Sequence, residues 1–158
     1  MNYKIEKKEA FTVLANAKVF SYEEAKEAIP LFWQEHYEEG KGQTVGGMYG
    51  INIDEEMGQS TFEYLIADPC DTYKVAPDGF VIKTIPSFTW AVFPGKGAMP
   101  SAIQNVNTKI FSEWLPAHKE YEVAAGYYVE YYADPNNYAK GTQDDNYYCE
   151  VWIPVKQK

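Results

Sequence analysis

Tyr128-Val129-Glu130-Tyr131-Tyr132 and, after the polar loop 134–146, Tyr148-Cys149-Glu150-Val151-Trp152-Ile153 are the stretches that decide how this chain reads. Both are rich in β-branched and aromatic residues, the composition of a pleated, half-buried surface. Period-two alternation puts Tyr128, Glu130 and Tyr132 on one face of the first strand. It puts Tyr148, Glu150 and Trp152 on one face of the second, with Cys149, Val151 and Ile153 turned towards a core. Each strand thus sets a carboxylate between two aromatics. If the two faces look into one groove, they form an aromatic box with acids inside. If they face water, they are ordinary residues of an exposed sheet. The box has specific physics: a buried carboxylate loses several kcal/mol of solvation unless paired. It responds by staying neutral, by accepting from tyrosine hydroxyls, or by taking a cationic ligand that also gains from the aromatic faces.

Working outward, the rest of the chain supplies two similar halves. Tyr3 to Ala15 is extended, with Tyr3 and Ile5 alternating against Lys4 and Glu6. Ser21-Tyr22-Glu23-Glu24 is a capping box, and the helix after it carries Ala25, Ile29, Phe32 and Trp33. Pro30 is expected to kink that helix or delay its start, and Gly40 and Gly42 to end it. Met48–Ile53 and Thr61–Ala67 form a hairpin, followed by a loop from Asp68 to Gly79. Phe80 to Pro94 is again extended, bent near Pro86, and Gly95-Lys96-Gly97 turns. A helix from Pro100 to Pro116 shows Ile103, Val106, Ile110 and Trp114 on one face, with Trp114 read as core. The strands Tyr127–Ala133 and Tyr147–Val155 complete the second half. Gly47 and Gly126 precede the third element of each. The expected fold class is α+β: duplicated strand-helix-strand-strand units with a central ligand cleft between them.

Composition narrows the function. A chain of 158 residues is read as one domain, 1–158. Its net charge of −9 excludes the basic face that nucleic acid requires and argues against an anionic membrane surface. The 14 Tyr, 8 Phe and 4 Trp fill either an aromatic core or a pocket; the predominance of Tyr, which needs a partner when buried, speaks for a pocket. Cys70 and Cys149 fall in no metal or redox spacing, and His36 and His118 stand far apart outside any motif. Gly95-Lys96-Gly97 lacks the rest of a phosphate loop. The expectation is therefore no cofactor and no metal. With no apolar leader and no run of membrane-spanning length, a cytoplasmic protein is expected.

At these residues the chain resembles the gyrase-inhibitory-protein-like small-molecule-binding family, the effector-binding domain of some AraC-type and MerR-type transcription regulators. The likeness rests on Thr89-Trp90-Ala91-Val92-Phe93-Pro94-Gly95-Lys96-Gly97 with Met99-Pro100, and on Ile110-Phe111-Ser112-Glu113-Trp114-Leu115-Pro116. It continues through Val129-Glu130-Tyr131-Tyr132 and Tyr148-Cys149-Glu150-Val151-Trp152-Ile153-Pro154-Val155-Lys156. The resemblance implies the duplicated fold read above and a cleft for lipophilic, often cationic aromatic compounds. It implies that Glu130 with Tyr132 is the pocket's Glu-x-Tyr pair and that Glu150 is the last-strand acidic position. Trp90, Tyr49 and Tyr64 are the further pocket candidates. The family-like part starts at residue 3, so a stand-alone member without a DNA-binding module is expected.

Three functions fit these readings. The first is a binding protein, a sink or a sensor that passes its state to a partner protein. The second is a hydrolase, as some stand-alone relatives of the family open cyclopropane-bearing aromatic alkylating compounds. There Glu130, or Glu150, is the general base and Tyr132, or Tyr148, the proton donor. The third is an inhibitor of the gyrase type. Exposed strand edges allow a monomer or a homodimer.

Overall fold

The computed structural model describes residues 1–71 and 75–158; residues 72–74, within the expected loop 68–79, lie outside the described residues. Among the described residues nine strands form one sheet: β1 Lys4–Lys8, β2 Phe11–Ser21, β3 Tyr49–Ile53, β4 Thr61–Pro69, β5 Val81–Ile85, β6 Phe88–Lys96, β7 Tyr121–Val123, β8 Tyr127–Tyr132 and β9 Tyr148–Gln157. Helix α1 spans Ala25–Glu38. Helix α2, Ser101–Lys109, continues through a π-helical turn, Ile110–Trp114, into the short α3, Leu115–Ala117. Among the described residues no helix is long and apolar enough to cross a membrane.

The duplication is visible in the pairing. β4 lies between β2 and β3 in the first half, and β9 lies between β6 and β8 in the second. The halves join twice. β3 pairs β8, Ile51 facing Val129. β1 and β2 pair β6 and β5 in a single register, Lys8 facing Phe88 and Phe11 facing Ile85, interrupted only at Glu9-Ala10 and Pro86-Ser87. The hydrogen-bonded path therefore runs β2-β4-β3-β8-β9-β6 and returns through β5 to β2, closing the sheet and leaving few free edges. Gly47 and Gly126, expected at equivalent places, are one residue out of step. Asp54 N donates to Gly126 O at 2.7 Å and Tyr132 N to Met48 O at 2.8 Å, so Gly126 matches Met48.

Alternation along the strands sends side chains to two sides. Inside the closed sheet, Val13, Ile51, Leu65, Ile85, Trp90, Val92, Val129 and Trp152 make one buried cluster fed by both halves. Outside it, α1 covers β2 and β4 over Leu14, Phe20, Phe32, Phe62 and Ile66. Helix α2 covers β6 and β9 over Phe93, Ile103, Val106, Ile110, Trp114, Val151 and Ile153, which confirms Trp114 as core.

The helix starts follow their local chemistry. Ser21 and Glu24 exchange the two capping-box hydrogen bonds, each 3.2 Å. Pro30 does not delay α1, which begins five residues ahead of it at Ala25. It sits where its missing N–H frees a carbonyl one turn back, at Lys26, on the wall of the cavity described below. β7, a three-residue strand on the end of β9, has too short a pattern to be read from sequence.

The β3–β8 joint depends on a close approach. A Cβ on Gly126 would stand 1.8 Å from Asp54 O. Gly126→Ala is expected to pry open this end of the joint and cost about 2–3 kcal/mol, read as a lower midpoint in thermal and denaturant melts. An unchanged midpoint would show that the end of the joint opens freely.

Candidate functional site

The two helices cover the two halves and leave the β3–β8 joint uncovered between them. A cavity of about 800 Å³ stands there. Helix α1 gives one wall, through Ile29, Pro30, Trp33 and Tyr37; the start of α2 gives the other, through Met99, Pro100, Ile103 and Gln104. The loop Gly46–Met48 and the segment Ala133–Asn136 close the ends, and Tyr64, Glu130 and Tyr132 form the floor.

Glu130 sits at the centre of this floor because the register places it there. It pairs with Gly50 across the joint, and no side chain rises from Gly50 beneath it. A Cβ on Gly50 would meet Tyr64 Oη at 2.2 Å and Glu130 Oε1 at 2.7 Å. The glycine therefore makes the space in which β4 and β8 join their side chains: Tyr64 Oη donates to Glu130 Oε1 at 2.8 Å. Trp33 Nε1 donates in turn to Tyr64 Oη at 3.0 Å, linking α1 to the carboxylate. From the opposite wall Asn107 Nδ2 approaches Glu130 Oε2 at 3.4 Å. The Tyr132 hydroxyl lies against the same carboxylate, and the Tyr132 ring meets Trp33 edge-on at 5.4 Å.

Glu130 touches the cavity, yet protein surrounds it. Burial pushes its carboxyl above the ordinary glutamate value of 4.5, against the downward pull of Tyr64, Tyr132 and Asn107. Burial and the Glu130 charge hold the Tyr64 and Tyr132 hydroxyls well above the usual tyrosine value, so both remain donors. Among the described residues no lysine acts on the Glu130 carboxyl. Around the cavity the charged residues are Lys26 at one end and Asp68 and Asp134 with Glu130, an acidic balance. Asp68 is bound by the loop it organises, accepting from Gly46 N at 2.8 Å and from Gly47 N and Met48 N at 2.9 Å each. Gly47, at φ +95°, passes beneath Trp33, whose ring would stand 2.6 Å from a Cβ there.

Of the residues expected at a site, Glu130, Tyr132 and Tyr64 come together. The single box holding both carboxylates does not form. β8 and β9 pair with Tyr131 opposite Glu150 and Glu130 opposite Val151. Directly opposed residues share a face, so the one-residue offset sends the two carboxylates to opposite sides of the sheet. Glu150 takes Tyr148 Oη at 2.6 Å and Trp152 Nε1 at 2.8 Å, away from the cavity. Trp152 and Trp90, ring centres 5.9 Å apart, belong to the interior cluster, and Trp90 is fully buried. Tyr49 packs on Trp152 at 5.6 Å on that same side. Tyr128 shares the face of Glu130 but meets Phe111 at 5.6 Å and does not line the cavity.

Sequence reasoning missed Trp33, Tyr37, Asn107 and Tyr147. Trp33 and Tyr37 stand four apart, on one side of α1, and that spacing was the available signal. Nothing in sequence marks Asn107 or Tyr147, whose hydroxyl donates to Ala133 O and holds the β8–β9 loop at the mouth.

A closed, duplicated α+β sheet with a polar-floored apolar cleft between its two helices defines an effector-binding domain of the gyrase-inhibitor-like fold. The profile of the integron-associated effector-binding proteins, Cass2, matches residues 4–155, and the chain belongs to that family. Solved structures share the fold. SAV2435, solved bound to tetraphenylphosphonium, superposes with a TM-score of 0.85 at 24% identity, over 99% of this chain and 94% of its own. The integron cassette protein VCH_CASS2 from the mobile metagenome of Vibrio cholerae gives 0.71 at 16% identity, over 98% and 95%. The C-terminal domain of EcmrR gives 0.61 at 16% identity, over 99% and 98%. No curated protein matches the chain in a sequence comparison.

The raised Glu130 carboxyl has a consequence for stability with a definite sign. A folded-state value above the unfolded one favours the neutral form, so its contribution is complete below 4.5 and is lost as pH rises through the raised value. Glu130→Gln carries no charge at any pH. Its melting temperature is expected to gain on the parent's as pH rises through the raised value above 4.5, measured by calorimetry without ligand. A difference that stays constant with pH would contradict the raised value.

Proposed function

We propose that this effector-binding protein takes lipophilic aromatic cations into the cleft between α1 and α2, with Glu130 as the countercharge. One observation carries the reading: a half-buried carboxylate on the cavity floor, on which among the described residues no lysine acts, set among Trp33, Tyr64 and Tyr132. A cation there gains charge pairing in a poorly screened site. It gains about 0.5–2 kcal/mol more from a favourable aromatic face. The apolar walls, Ile29, Pro30, Met99, Pro100 and Ile103, suit the hydrophobic body such cations carry. The tetraphenylphosphonium complex of a chain with the same fold supports the choice of cation. The volume, about 800 Å³, lies within the range of drug-sized sites.

The same carboxylate, raised by burial and faced by two phenol donors, also has the make-up of a general base. Under that second reading a bound electrophile is hydrolysed rather than held. Recovery of the compound after incubation separates the two.

Titration calorimetry with tetraphenylphosphonium tests the main reading. Saturable binding is expected, weakened ~10- to 100-fold in Glu130→Gln. Glu150→Gln, altered on the far face of the sheet, is expected to bind like the parent. Absence of binding, or equal losses in both variants, would remove Glu130 as the countercharge.

A further inference from the structure

The carboxylate's surroundings raise a question of charge balance that the binding reading leaves open. Every element packed against Glu130 contributes, and among the described residues none brings a positive group to it. β3 contributes Gly50, which has no side chain. β4 contributes the Tyr64 hydroxyl and, at the cavity end, Asp68. β8 contributes Tyr132. β9 contributes Cys149, whose thiol burial and the nearby Glu130 and Glu150 push up to about 11, so it remains neutral. Helix α2 contributes the Asn107 amide, α1 the Trp33 indole and the Tyr37 hydroxyl, and the β8–β9 segment Asp134 and Tyr147. Lys26 lines the cavity but does not act on the carboxyl.

The donors that reach the carboxyl are all neutral: Tyr64 Oη on Oε1 at 2.8 Å, Asn107 Nδ2 on Oε2 at 3.4 Å, and the Tyr132 hydroxyl. A carboxylate withdrawn from water without an ionic partner keeps a large part of its desolvation cost, and holding its proton removes that cost.

We propose that Glu130 carries a proton in the ligand-free cleft and releases it when a cation enters, so that binding exchanges one cation for one proton. This rests on the cation-binding reading above. In the step, the carboxyl O–H bond breaks and both its electrons stay on the carboxylate. The proton leaves through the cavity to water or buffer, and the entering cation takes over the charge balance. Nothing is oxidised or reduced. The raised carboxyl agrees with this order of events. The sign follows: below the pH at which the ligand-free cleft titrates, each proton competes with the ligand, so apparent affinity rises with pH by roughly tenfold per unit and then levels. The floor of the cleft then carries no charge of its own until a ligand enters, which favours cations that bring their own apolar body over inorganic ones.

The test uses tetraphenylphosphonium, which has no titratable group, so any proton released comes from the protein. Titrations across a pH series in two buffers of different ionisation enthalpy give the protons released per ligand bound. Release of up to one proton is expected at the low-pH end, falling towards zero as pH rises. Glu130→Gln is expected to release none. Binding with equal enthalpy in both buffers across the pH range would overturn the exchange and leave the binding function standing. Proton release that persists in Glu130→Gln would overturn its assignment to Glu130. No binding of the cation at any pH would remove both readings. Should Glu130→Gln not fold, infrared difference spectra of the parent decide: the carbonyl stretch of a protonated carboxyl is expected to vanish on adding the cation, and its absence before addition would overturn the proposal.

Discussion

The hydrogen bond from Tyr64 to Glu130 above Gly50 is the contact on which the cleft depends. It ties β4 of the first half to β8 of the second across the joint where the halves meet. It needs three things at once: a glycine at the one position beneath it, a tyrosine with its own donor from Trp33, and a register that brings Glu130 over Gly50. A side chain at residue 50 would occupy the space of the bond. The register is set further off, by the alternation that buries Ile51 and Val129 on the inner face. The packing of the sheet interior thus aims the polar group on the exterior.

Closure of the sheet explains why such a group can be held there with no basic partner among the described residues. The floor belongs to a ring of strands packed on a common interior, so it cannot easily give way around a poorly solvated carboxylate. Burial of a charge is relieved in most proteins by pairing or by movement towards water. Here the remaining responses are neutrality and ligand. The helices are differently placed: each is anchored on its own half, and together they wall the cavity without touching the ring's interior. Wall residues such as Ile29, Pro30, Met99 and Ile103 can therefore differ in size without disturbing the floor.

Much of the fold was legible because it rests on local patterns. The strand and helix order, the capping box at Ser21 and the core face of α2 all follow from periodicity and end chemistry, which neighbouring residues carry. Alternation likewise set Glu130 and Tyr132 on one face, but their pairing in a pocket was an implication of the family resemblance and not of the local pattern. What could not be read is what depends on two segments together. Alternation assigns faces within β8 and within β9, but only the pairing of Tyr131 with Glu150 says how the faces relate. That single offset took Tyr148, Glu150 and Trp152 out of the cleft. Trp90 and Tyr49 went inward for the same reason, since closure gives the sheet an apolar interior that a strand pattern alone does not announce. Asn107 was hidden more deeply: an asparagine on a helix has meaning only once the helix is docked.

Glu130 and Glu150 form a natural comparison, since each stands between aromatics on adjoining strands and each accepts from a tyrosine. Their surroundings differ in completion. Glu150 has a short donor on each oxygen, Tyr148 at 2.6 Å and Trp152 at 2.8 Å, and Lys8 lies over the Trp152 ring at 4.5 Å. Its charge is answered by the protein itself, and a cationic ligand would gain little there. Glu130 has the hydroxyls of Tyr64 and Tyr132, a long contact to Asn107 and a cavity. The motif is nearly the same; the difference lies in what the protein has left unanswered. Under the proposed reading, affinity for a cation arises where a carboxylate's demand is held open by structure, a condition that Glu130 offers on one face of the sheet and that Glu150 lacks on the other.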